Sequence, residues 1–219
     1  MKIGFLGYGN MTAALAPRWA SNHALFLGGR NPDKARDAAA AISSDVSHGS
    51  AREAAEHGDV VVLATRHEVV FDTLESAGGA SAFDGKIVVD MNNPVRAAGG
   101  DFLAQTVDGR SLAERIQDAL PGAQVVKAFN TCQATVWTMD PPLFDGRTLV
   151  VPLAGNDDAA KEVVGGLVEA IGAEPLDFGD LRYARNLEAI AASVIKLLFS
   201  GRDPHTVFNL IQPERKSIA

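Results

Sequence analysis

The sequence predicts an α/β protein in which a doubly wound, mostly parallel sheet is followed by a small C-terminal helical part. Short apolar strands alternate with helical patterns from the first residues onward, and a glycine-rich turn over 7–12 follows the first strand directly. The strand predicted over 59–65 is apolar at successive positions, as in strands that are buried on both faces. Such alternation predicts helices on both faces of a parallel sheet, with ligands beyond the carboxyl ends of the strands.

Six strands alternate with helices along the first part of the chain. Their apolar runs predict strands over 2–7, 24–29, 46–48, 59–65, 86–91 and 124–130. Helical periodicity predicts helices over 11–20, 32–42, 50–57, 68–76 and 112–120. Pro32 at the start of the second helix and Ser50 as the N-cap of the third support this prediction. The turns after strands one, two, four, five and six therefore form one rim of the sheet.

The rest of the chain extends the sheet and then becomes helical. Strands over 148–155 and 175–178, with a helix over 157–171 between them, predict a sheet of more than six strands. In a helix predicted over 181–199, an apolar stripe with a period near 3.6 contains Leu187, Ile190, Ala191, Val194, Ile195 and Leu198. We therefore expect a main domain over 1–178 and a C-terminal segment over 179–219 that walls a pocket, with 213–219 as a loose tail.

Composition and charge exclude several classes of protein. The formal net charge of -7 argues against a nucleic-acid partner, which needs clustered lysine and arginine. No apolar run reaches the roughly 18 uncharged residues of a membrane span, so we expect no membrane partner. A single cysteine, Cys132, excludes an internal disulfide and, with the short apolar start of the chain, predicts a cytoplasmic protein. The histidines lack metal-ligand spacing, so we expect no metal site.

A glycine-rich turn joins the first strand to the first helix. It consists of Gly7, Tyr8, Gly9, Asn10, Met11 and Thr12. Glycines here let the backbone approach a pyrophosphate, and the helix N-terminus binds the anion through its free N–H groups. Thr12 stands where the dinucleotide fingerprint has its third glycine, which we expect to loosen the helix-strand packing. A turn that binds nothing is the alternative, but the doubly wound context favours a Rossmann-type dinucleotide-binding domain.

The end of the second strand distinguishes NAD from NADP. NAD-binding folds place a carboxylate there for the ribose 2′-hydroxyl, whereas this chain has Gly28-Gly29-Arg30-Asn31. A guanidinium pairs with a phosphate through two hydrogen bonds, so Arg30 predicts NADP, with Asn31 and Lys34 as further donors. We expect the small residues Gly28 and Gly29 to leave space for the 2′-phosphate. A solvated arginine at a loop edge is the alternative.

Polar residues follow the fourth, fifth and sixth strands along the same rim. They are Thr65, Arg66, Asn92, Asn93, Pro94 and Asn130. We expect them to flank the nicotinamide and its ribose, with Asn130 holding the carboxamide of the ring. Pro94 forces Asn93 toward an extended conformation, which fixes the angle of its side-chain amide.

Two residues near this rim are candidates for proton transfer in catalysis. His67 is the only histidine on the predicted rim, and a pKa near neutrality suits a reduction that ends with proton uptake. The alternative is that it caps a helix or contacts cofactor or solvent. Lys127 lies inside an apolar strand, where it is a buried acid with a shifted pKa, a residue reaching solvent from a sheet edge, or a partner of Asp90.

Segments spread along the chain resemble a known family, the deazaflavin-dependent NADP oxidoreductases with their related predicted dinucleotide-binding enzymes. These segments are 2–11, Gly29-Arg30, 90–94, 125–131 and 182–188. The resemblance implies a Rossmann domain with a small C-terminal part that contributes a homodimer contact, and NADP bound by the glycine turn and Gly29-Arg30. It also implies hydride transfer directly between the nicotinamide and a second ring. The N-terminal segment also looks like that of pyrroline-5-carboxylate reductases.

The sequence thus predicts an NADP-dependent oxidoreductase that transfers a hydride between NADP(H) and a small-molecule second substrate. The resemblance implies a deazaflavin such as coenzyme F420, or a flavin, as the second ring. Direct hydride transfer to such a ring needs positioning and no acid-base pair, and the absence of a convincing pair in the sequence fits this expectation. One alternative is an NADPH-dependent imine or carbonyl reductase, similar to pyrroline-5-carboxylate reductase. The other is a non-catalytic protein that senses the NADP redox state.

Overall fold

The structure, a computed structural model, describes residues 1–98 and 101–201. Its strands are β1 (Lys2–Leu6), β2 (Ala24–Gly28), β3 (Ser47–Gly49), β4 (Val60–Leu63), β5 (Ile87–Asp90), β6 (Val95–Ala98), β7 (Asp101–Ala104), β8 (Gln124–Lys127), β9 (Leu143–Phe144), β10 (Arg147–Thr148), β11 (Val150–Gly155) and β12 (Glu174–Gly179). Its α-helices are α1 (Asn10–Trp19), α2 (Pro32–Ile42), α3 (Ala51–His57), α4 (Val70–Ser76), α5 (Leu112–Ala119), α6 (Ala134–Trp137), α7 (Asp158–Glu169) and α8 (Ala184–Phe199). The tail predicted over 213–219 lies outside the described residues.

Eight strands form one sheet in the order β12-β11-β8-β5-β4-β1-β2-β3. The six strands from β8 to β3 are all parallel, in the order that a doubly wound dinucleotide-binding sheet adopts. Strand β11 runs antiparallel to β8, and β12 runs parallel to β11. The predicted Rossmann-type, mostly parallel sheet of more than six strands is therefore confirmed.

Helices cover both faces of the sheet because its central strands are apolar on both faces. All four residues of β4 are buried. On one face α1, α2, α6 and α7 pack around Trp19, whose indole N–H donates to the carbonyl oxygen of Leu167 at 3.0 Å. On the other face α3, α4, α5 and the start of α8 pack around Phe83 and Ile116. These two layers fix the strand ends that carry the predicted rim.

Several short elements were not predicted from the sequence. The antiparallel hairpin β6-β7 follows β5, and the hairpin β9-β10 and the one-turn helix α6 precede β11. Each is too short to show a periodic pattern. Strand β8 also ends at Lys127 rather than at residue 130, because the chain turns at Phe129, whose φ is 58°.

Helix α8 buries a different face from the predicted apolar stripe. Leu187 and Ala191 are buried as expected, but Ile190 and Leu198 are 43% and 38% exposed. Glu188 is buried instead, at 1% exposure. The stripe is therefore only partly buried within the described chain, and the helix buries the carboxylate of Glu188 beside it.

Candidate functional site

The carboxyl ends of β1, β2 and β4 enclose a cleft of about 220 Å³. Residues predicted to bind the cofactor that line this cleft are Gly7, Tyr8, Gly9, Gly29, Arg30, Thr65 and Arg66. The others lie next to it along the rim: Asn10, Met11 and Thr12 at the start of α1, Asn31 and Lys34 at the start of α2, and Asn92, Asn93, Pro94 and Asn130 after β5 and β8. The cleft therefore lies where a doubly wound sheet binds dinucleotides.

Gly7 is required by the fold itself. Its φ is +119°, and a Cβ there would lie 2.5 Å from the carbonyl oxygen of Ala64. Any other residue would strain the backbone and push the ends of β1 and β4 apart.

Gly9 differs from Gly7, because nothing in the described chain explains a glycine there. Its φ of -85° and ψ of -165° are accessible to any residue, and beyond its chain neighbours no described atom lies within 4 Å of the position a Cβ would occupy. Gly9 is the N-cap of α1, and no side chain caps this helix. Open space at an uncapped helix N-terminus fits the close approach of an anion such as the pyrophosphate of a dinucleotide.

Thr12 occupies the position of the third glycine of the fingerprint and forms a hydrogen bond there. Its side chain is buried, and its hydroxyl donates to the carbonyl oxygen of Gly7 at 2.9 Å. This bond ties the first turn of α1 to the glycine turn, so the threonine is accommodated at the third position of the fingerprint. The side chain is directed away from the cleft, which leaves the backbone of Thr12 as the part available to a cofactor.

The two glycines at the end of β2 do not provide the empty space that we expected from their size. A Cβ on Gly28 would lie 2.3 Å from the carbonyl oxygen of Ser50, and one on Gly29 would lie 2.6 Å from Cε1 of Tyr8. Gly28 therefore lets α3 approach the sheet, and Gly29 lets the tyrosine ring lie against the strand end. The ring in turn lines the cleft together with Arg30.

Positive charge without a carboxylate partner lies at the end of β2. Arg30 and Lys34 are exposed, and neither has a carboxylate within 4.0 Å among the described residues. Asp33, the acid between them, is bound instead by Arg36 at 2.8 Å. Asn31 caps α2 by accepting the backbone N–H of Lys34 at 3.1 Å, which leaves its NH2 group as a donor. These donors are available to an anion such as a 2′-phosphate.

The loop after β4 contributes another wall of the cleft. The hydroxyl of Thr65 is buried and has no hydrogen-bond partner in the part of the chain that the structure describes. Arg66 is open to solvent, with 79% of its side chain exposed and its guanidinium 3.9 Å from Glu68. A buried hydroxyl without a partner costs free energy, so the position of Thr65 fits a hydrogen bond to a ligand.

Two asparagine side chains join the ends of β5 and β8. Nδ2 of Asn93 donates to the carbonyl oxygen of Asn130 at 2.7 Å, and Nδ2 of Asn130 donates to Oδ1 of Asn93 at 2.9 Å. Asn130 also donates to the carbonyl oxygen of Leu187 in α8 at 3.1 Å, so both donors of its NH2 group are used. Its buried Oδ1 has no partner among the described residues and is the atom left to accept from a carboxamide.

A lysine and two carboxylates are buried together next to these asparagines. Nζ of Lys127 donates to Asp90 at 2.8 Å, to Glu188 at 3.0 Å and to the carbonyl oxygen of Asn92. Burial opposes the charge on Lys127, but the two carboxylates outweigh this effect and raise its pKa above the ordinary value. Pairing with Asp90, one of the three predicted alternatives, is confirmed. A buried ammonium with a raised pKa is poorly suited to release a proton at neutral pH.

This cluster connects three parts of the fold. Oδ1 of Asp90 accepts the backbone N–H of Asn92 at 3.0 Å and its Nδ2 at 2.9 Å, which fixes the loop after β5. Glu188 accepts the backbone N–H groups of Leu112 at 3.2 Å and Ala113 at 3.4 Å, at the N-terminus of α5. Sequence reasoning did not identify Glu188 as a site residue. Its place inside an otherwise apolar helix stripe was the available signal.

His67 lies on the rim but outside the cofactor cleft. It begins the turn that precedes α4, and 19% of its side chain is exposed. Its Nδ1 lies 3.6 Å from a carboxylate oxygen of Glu68, and it lines a second cleft together with Pro94. The histidine is therefore placed beside the end of β5.

Other kinds of site are not evident within residues 1–98 and 101–201. No group of three His, Cys, Asp or Glu side chains in these ranges is arranged to hold a metal ion. No helix in them is long and apolar enough to cross a membrane. Cys132 is free and half-buried, and burial raises the pKa of its thiol. The features that point to a ligand are those of the rim.

Comparison with known proteins finds relatives along most of the chain. Residues 2–94 match the family model described as NADP oxidoreductase, coenzyme F420-dependent. An F420-dependent NADP reductase from Methanocaldococcus jannaschii is 35% identical over 212 residues, which cover 90% of this chain and 92% of that protein. The crystal structure of a candidate F420-dependent NADP reductase from Arthrobacter sp. FB24 shares 31% identity with a TM-score of 0.82, covering 92% of this chain and 96% of that one. Metalloreductase STEAP3 from Rattus norvegicus is 30% identical over 93% of this chain and 38% of its own length.

Proposed function

The chain belongs to the family of coenzyme F420-dependent NADP oxidoreductases, and we propose from this premise that it transfers a hydride between NADP(H) and the deazaflavin ring of coenzyme F420. The observation that carries the proposal is the combination, on one rim, of the open position at Gly9 with the uncompensated cations Arg30 and Lys34. The open position at Gly9 suits a pyrophosphate, and the cations Arg30 and Lys34 suit a 2′-phosphate. The protein is accordingly an NADP-dependent oxidoreductase.

The residues that we propose to hold NADP(H) follow the rim from β2 to β8. The 2′-phosphate is bound by Arg30, Lys34 and Asn31. The pyrophosphate is bound by the backbone of the glycine turn and the first turn of α1, over 7–12. Residues for the adenosine half are Tyr8 and Gly29, and residues for the nicotinamide half are Thr65, Arg66, Asn92, Asn93, Pro94 and Asn130.

The contribution of the chain to hydride transfer is positioning. Bound NADP(H) supplies or accepts the hydride at its nicotinamide ring. Lys127 ties the loop after β5 to α8, and the pair of Asn93 and Asn130 ties the same loop to β8, so the rim beside the ring is held from two sides. A fixed geometry of this kind lowers the barrier by reducing the entropy lost on approach to the transition state. We therefore propose Lys127 as a positioning residue and not as an acid.

Two alternative functions have less support. An imine or carbonyl reductase protonates its substrate, and Lys127 is sealed from the rim by burial. His67 is a partly exposed histidine on the rim, and we propose that it contacts the second substrate or exchanges a proton near it. A redox sensor without turnover agrees with the cofactor cleft but not with the enzymatic activity of the family.

We also propose that the protein is a cytoplasmic homodimer. Helix α8 exposes the apolar side chains of Ile190, Leu198 and Phe199, the last of them 75% exposed. Exposed apolar side chains on a helix are a feature of subunit interfaces. The single cysteine agrees with a reducing compartment. Light scattering after size-exclusion chromatography tests the dimer, and a monomer mass would contradict it.

Hydride transfer tests the proposed function directly. The protein is mixed with NADPH and oxidised coenzyme F420, and with NADP+ and the reduced coenzyme, while absorbance of both cofactors is followed. We expect transfer with F420, slower transfer with FMN, and none with 1-pyrroline-5-carboxylate. Absence of transfer in both directions would contradict the proposal, and turnover of the imine alone would favour the alternative reductase.

A further inference from the structure

We infer that a second cleft on the rim binds an anionic group, a phosphate or a carboxylate, that the second substrate carries. This inference rests on the proposed function, because it takes the second substrate to be a ring that lies beside the nicotinamide. Three observations carry it: the position of the cleft, the way one arginine is held in it, and the distribution of uncompensated arginines over the chain.

The second cleft has a volume of about 450 Å³ and lies between α4, α5 and the hairpin β6-β7. His67 and Pro94 line it, and they directly follow Arg66 and Asn93, which belong to the proposed cofactor site. The cleft therefore begins where the expected nicotinamide site ends. A ring stacked on the nicotinamide can extend a substituent into this space.

Arg115 lines this cleft from α5 and is held against an aromatic ring. It is half-buried in α5, and its guanidinium carbon lies 4.9 Å from the centroid of the Phe71 ring. Stacking on an aromatic face holds a guanidinium in place and leaves its N–H groups free for hydrogen bonds at the edge. No carboxylate of the described residues lies within 4.0 Å of it.

Arg96 lines the same cleft from the hairpin and likewise has no described carboxylate within 4.0 Å. Among arginines in residues 1–98 and 101–201, Arg30 is the one other arginine with no described carboxylate within 4.0 Å. Every other arginine in these ranges has a carboxylate within 4.0 Å. In a chain with a net charge of -7, the uncompensated arginines thus lie at two ends of one rim.

One acidic side chain, Glu68, faces the second cleft. It is shared between His67 at 3.6 Å and Arg66 at 3.9 Å, so its charge is partly balanced already. Two arginines therefore outnumber a single carboxylate. At a spacing of about 4.8 Å between neighbouring strands, the ends of β2 and β5 are separated by roughly 14 Å. The two arginine positions thus suit two different anionic groups, the first being the 2′-phosphate.

Two rings that differ only in an anionic group test the inference, namely 5-deazariboflavin and its 5′-phosphate. Each is titrated into the full-length protein saturated with NADP+, where no hydride can move, and binding is followed by deazaflavin fluorescence. We expect the 5′-phosphate to bind about tenfold more tightly than 5-deazariboflavin, because a charge-assisted hydrogen bond contributes about this much affinity. Arg115→Gln and Arg96→Gln should each bring this ratio toward one without changing the Kd of 5-deazariboflavin.

A matched control is Lys2→Gln, which removes the same unit charge from an exposed residue at the amino end of β1, opposite the rim. This variant should keep the wild-type ratio. Arg115→Lys keeps the charge but not the planar fork, so it should retain part of the preference. Equal Kd values for the two rings in the wild-type protein, or an unchanged ratio in both glutamine variants, would overturn the inference.

Turnover separates this inference from the proposed function. If the proposed function fails, NADPH transfers no hydride to either ring, while the binding ratio still reports on the second cleft. If the inference fails, the two rings bind equally in a protein that still transfers hydride.

Discussion

Arg185 in α8 binds the carboxylate of Glu114 in α5, with Nε donating to one oxygen at 2.7 Å and Nη2 donating to the other. Glu114 also forms a capping box with Ser111 at the start of α5. Burial opposes the ionisation of Glu114, but hydrogen bonds from Arg185 and Ser111 outweigh it and lower the pKa of Glu114 to about 2. The ionised pair therefore stabilises the contact between the two helices.

The contribution of this pair to stability should depend on pH. The folded pKa of about 2 lies below the ordinary value of 4.5, so the contribution is fully present above pH 4.5 and is lost as the pH falls toward 2. Arg185→Gln should lower the free energy of unfolding at neutral pH and have a shrinking effect below pH 4.5. Urea unfolding of both proteins at neutral pH and in acid measures this, and a difference that does not change with pH would contradict it.

The two glycines of the first turn should behave in opposite ways. Gly9→Ala should fold normally, with less than about 1 kcal/mol of destabilisation, because its backbone angles are ordinary and its Cβ meets open space. It should still raise the Kd of NADPH at least about tenfold, since the Cβ fills the phosphate position. Gly7→Ala should instead cost about 2 kcal/mol or more in stability. Thermal unfolding and NADPH titration decide this, and wild-type NADPH affinity in a folded Gly9→Ala protein would refute the phosphate site.

Arg30 should determine the preference for NADPH over NADH. Arg30→Gln should raise the KM for NADPH by about 10- to 100-fold, the value of a charge-assisted phosphate contact, and leave the KM for NADH nearly unchanged. Lys2→Gln removes the same charge at the amino end of β1, far from the rim, and should leave both KM values unchanged. Steady-state kinetics with the two cofactors measures the ratio. A ratio equal to that of the wild type in Arg30→Gln would remove Arg30 from the site.

Loss of the buried lysine should affect both stability and turnover. Lys127→Met leaves Asp90 and Glu188 buried without their cation, so we expect a loss of about 3–5 kcal/mol in the free energy of unfolding. Glu188→Gln is the milder variant, because it keeps an acceptor for Nζ. In this variant we expect kcat to fall while the KM for NADPH and the pH profile near neutrality stay unchanged, as befits a positioning residue. A change in the pH profile would indicate direct proton transfer.

Much of the fold could be predicted because its signals are local. The apolar run of β4 and the proline that begins α2 mark these elements without reference to any partner. Arg30 could be placed for the same reason, since its position directly after β2 follows from the order of elements. Whether it binds the cofactor stays a prediction.

The contacts that hold the rim could not be predicted, because their partners are far apart in the sequence. Lys127 and Glu188 are 61 residues apart, and Asn93 and Asn130 are 37 apart. The charge of Lys127 is visible in the sequence, but the choice among its possible partners depends on which helix packs against β8. The small size of Gly29 likewise predicts empty space at the end of β2, whereas in the folded protein the ring of Tyr8 occupies that space.

The contacts of the buried Lys127 also determine which truncations and fusions of this chain should fold. A fragment ending at residue 178, the predicted end of the main domain, would lose Glu188 and the helix carbonyl that accepts from Asn130. Lys127 would then face a single acidic partner, and the start of α5 would lose one of its acceptors. We expect such a fragment to express poorly, so fusion partners belong in the short hairpin β9-β10, whose side chains are exposed.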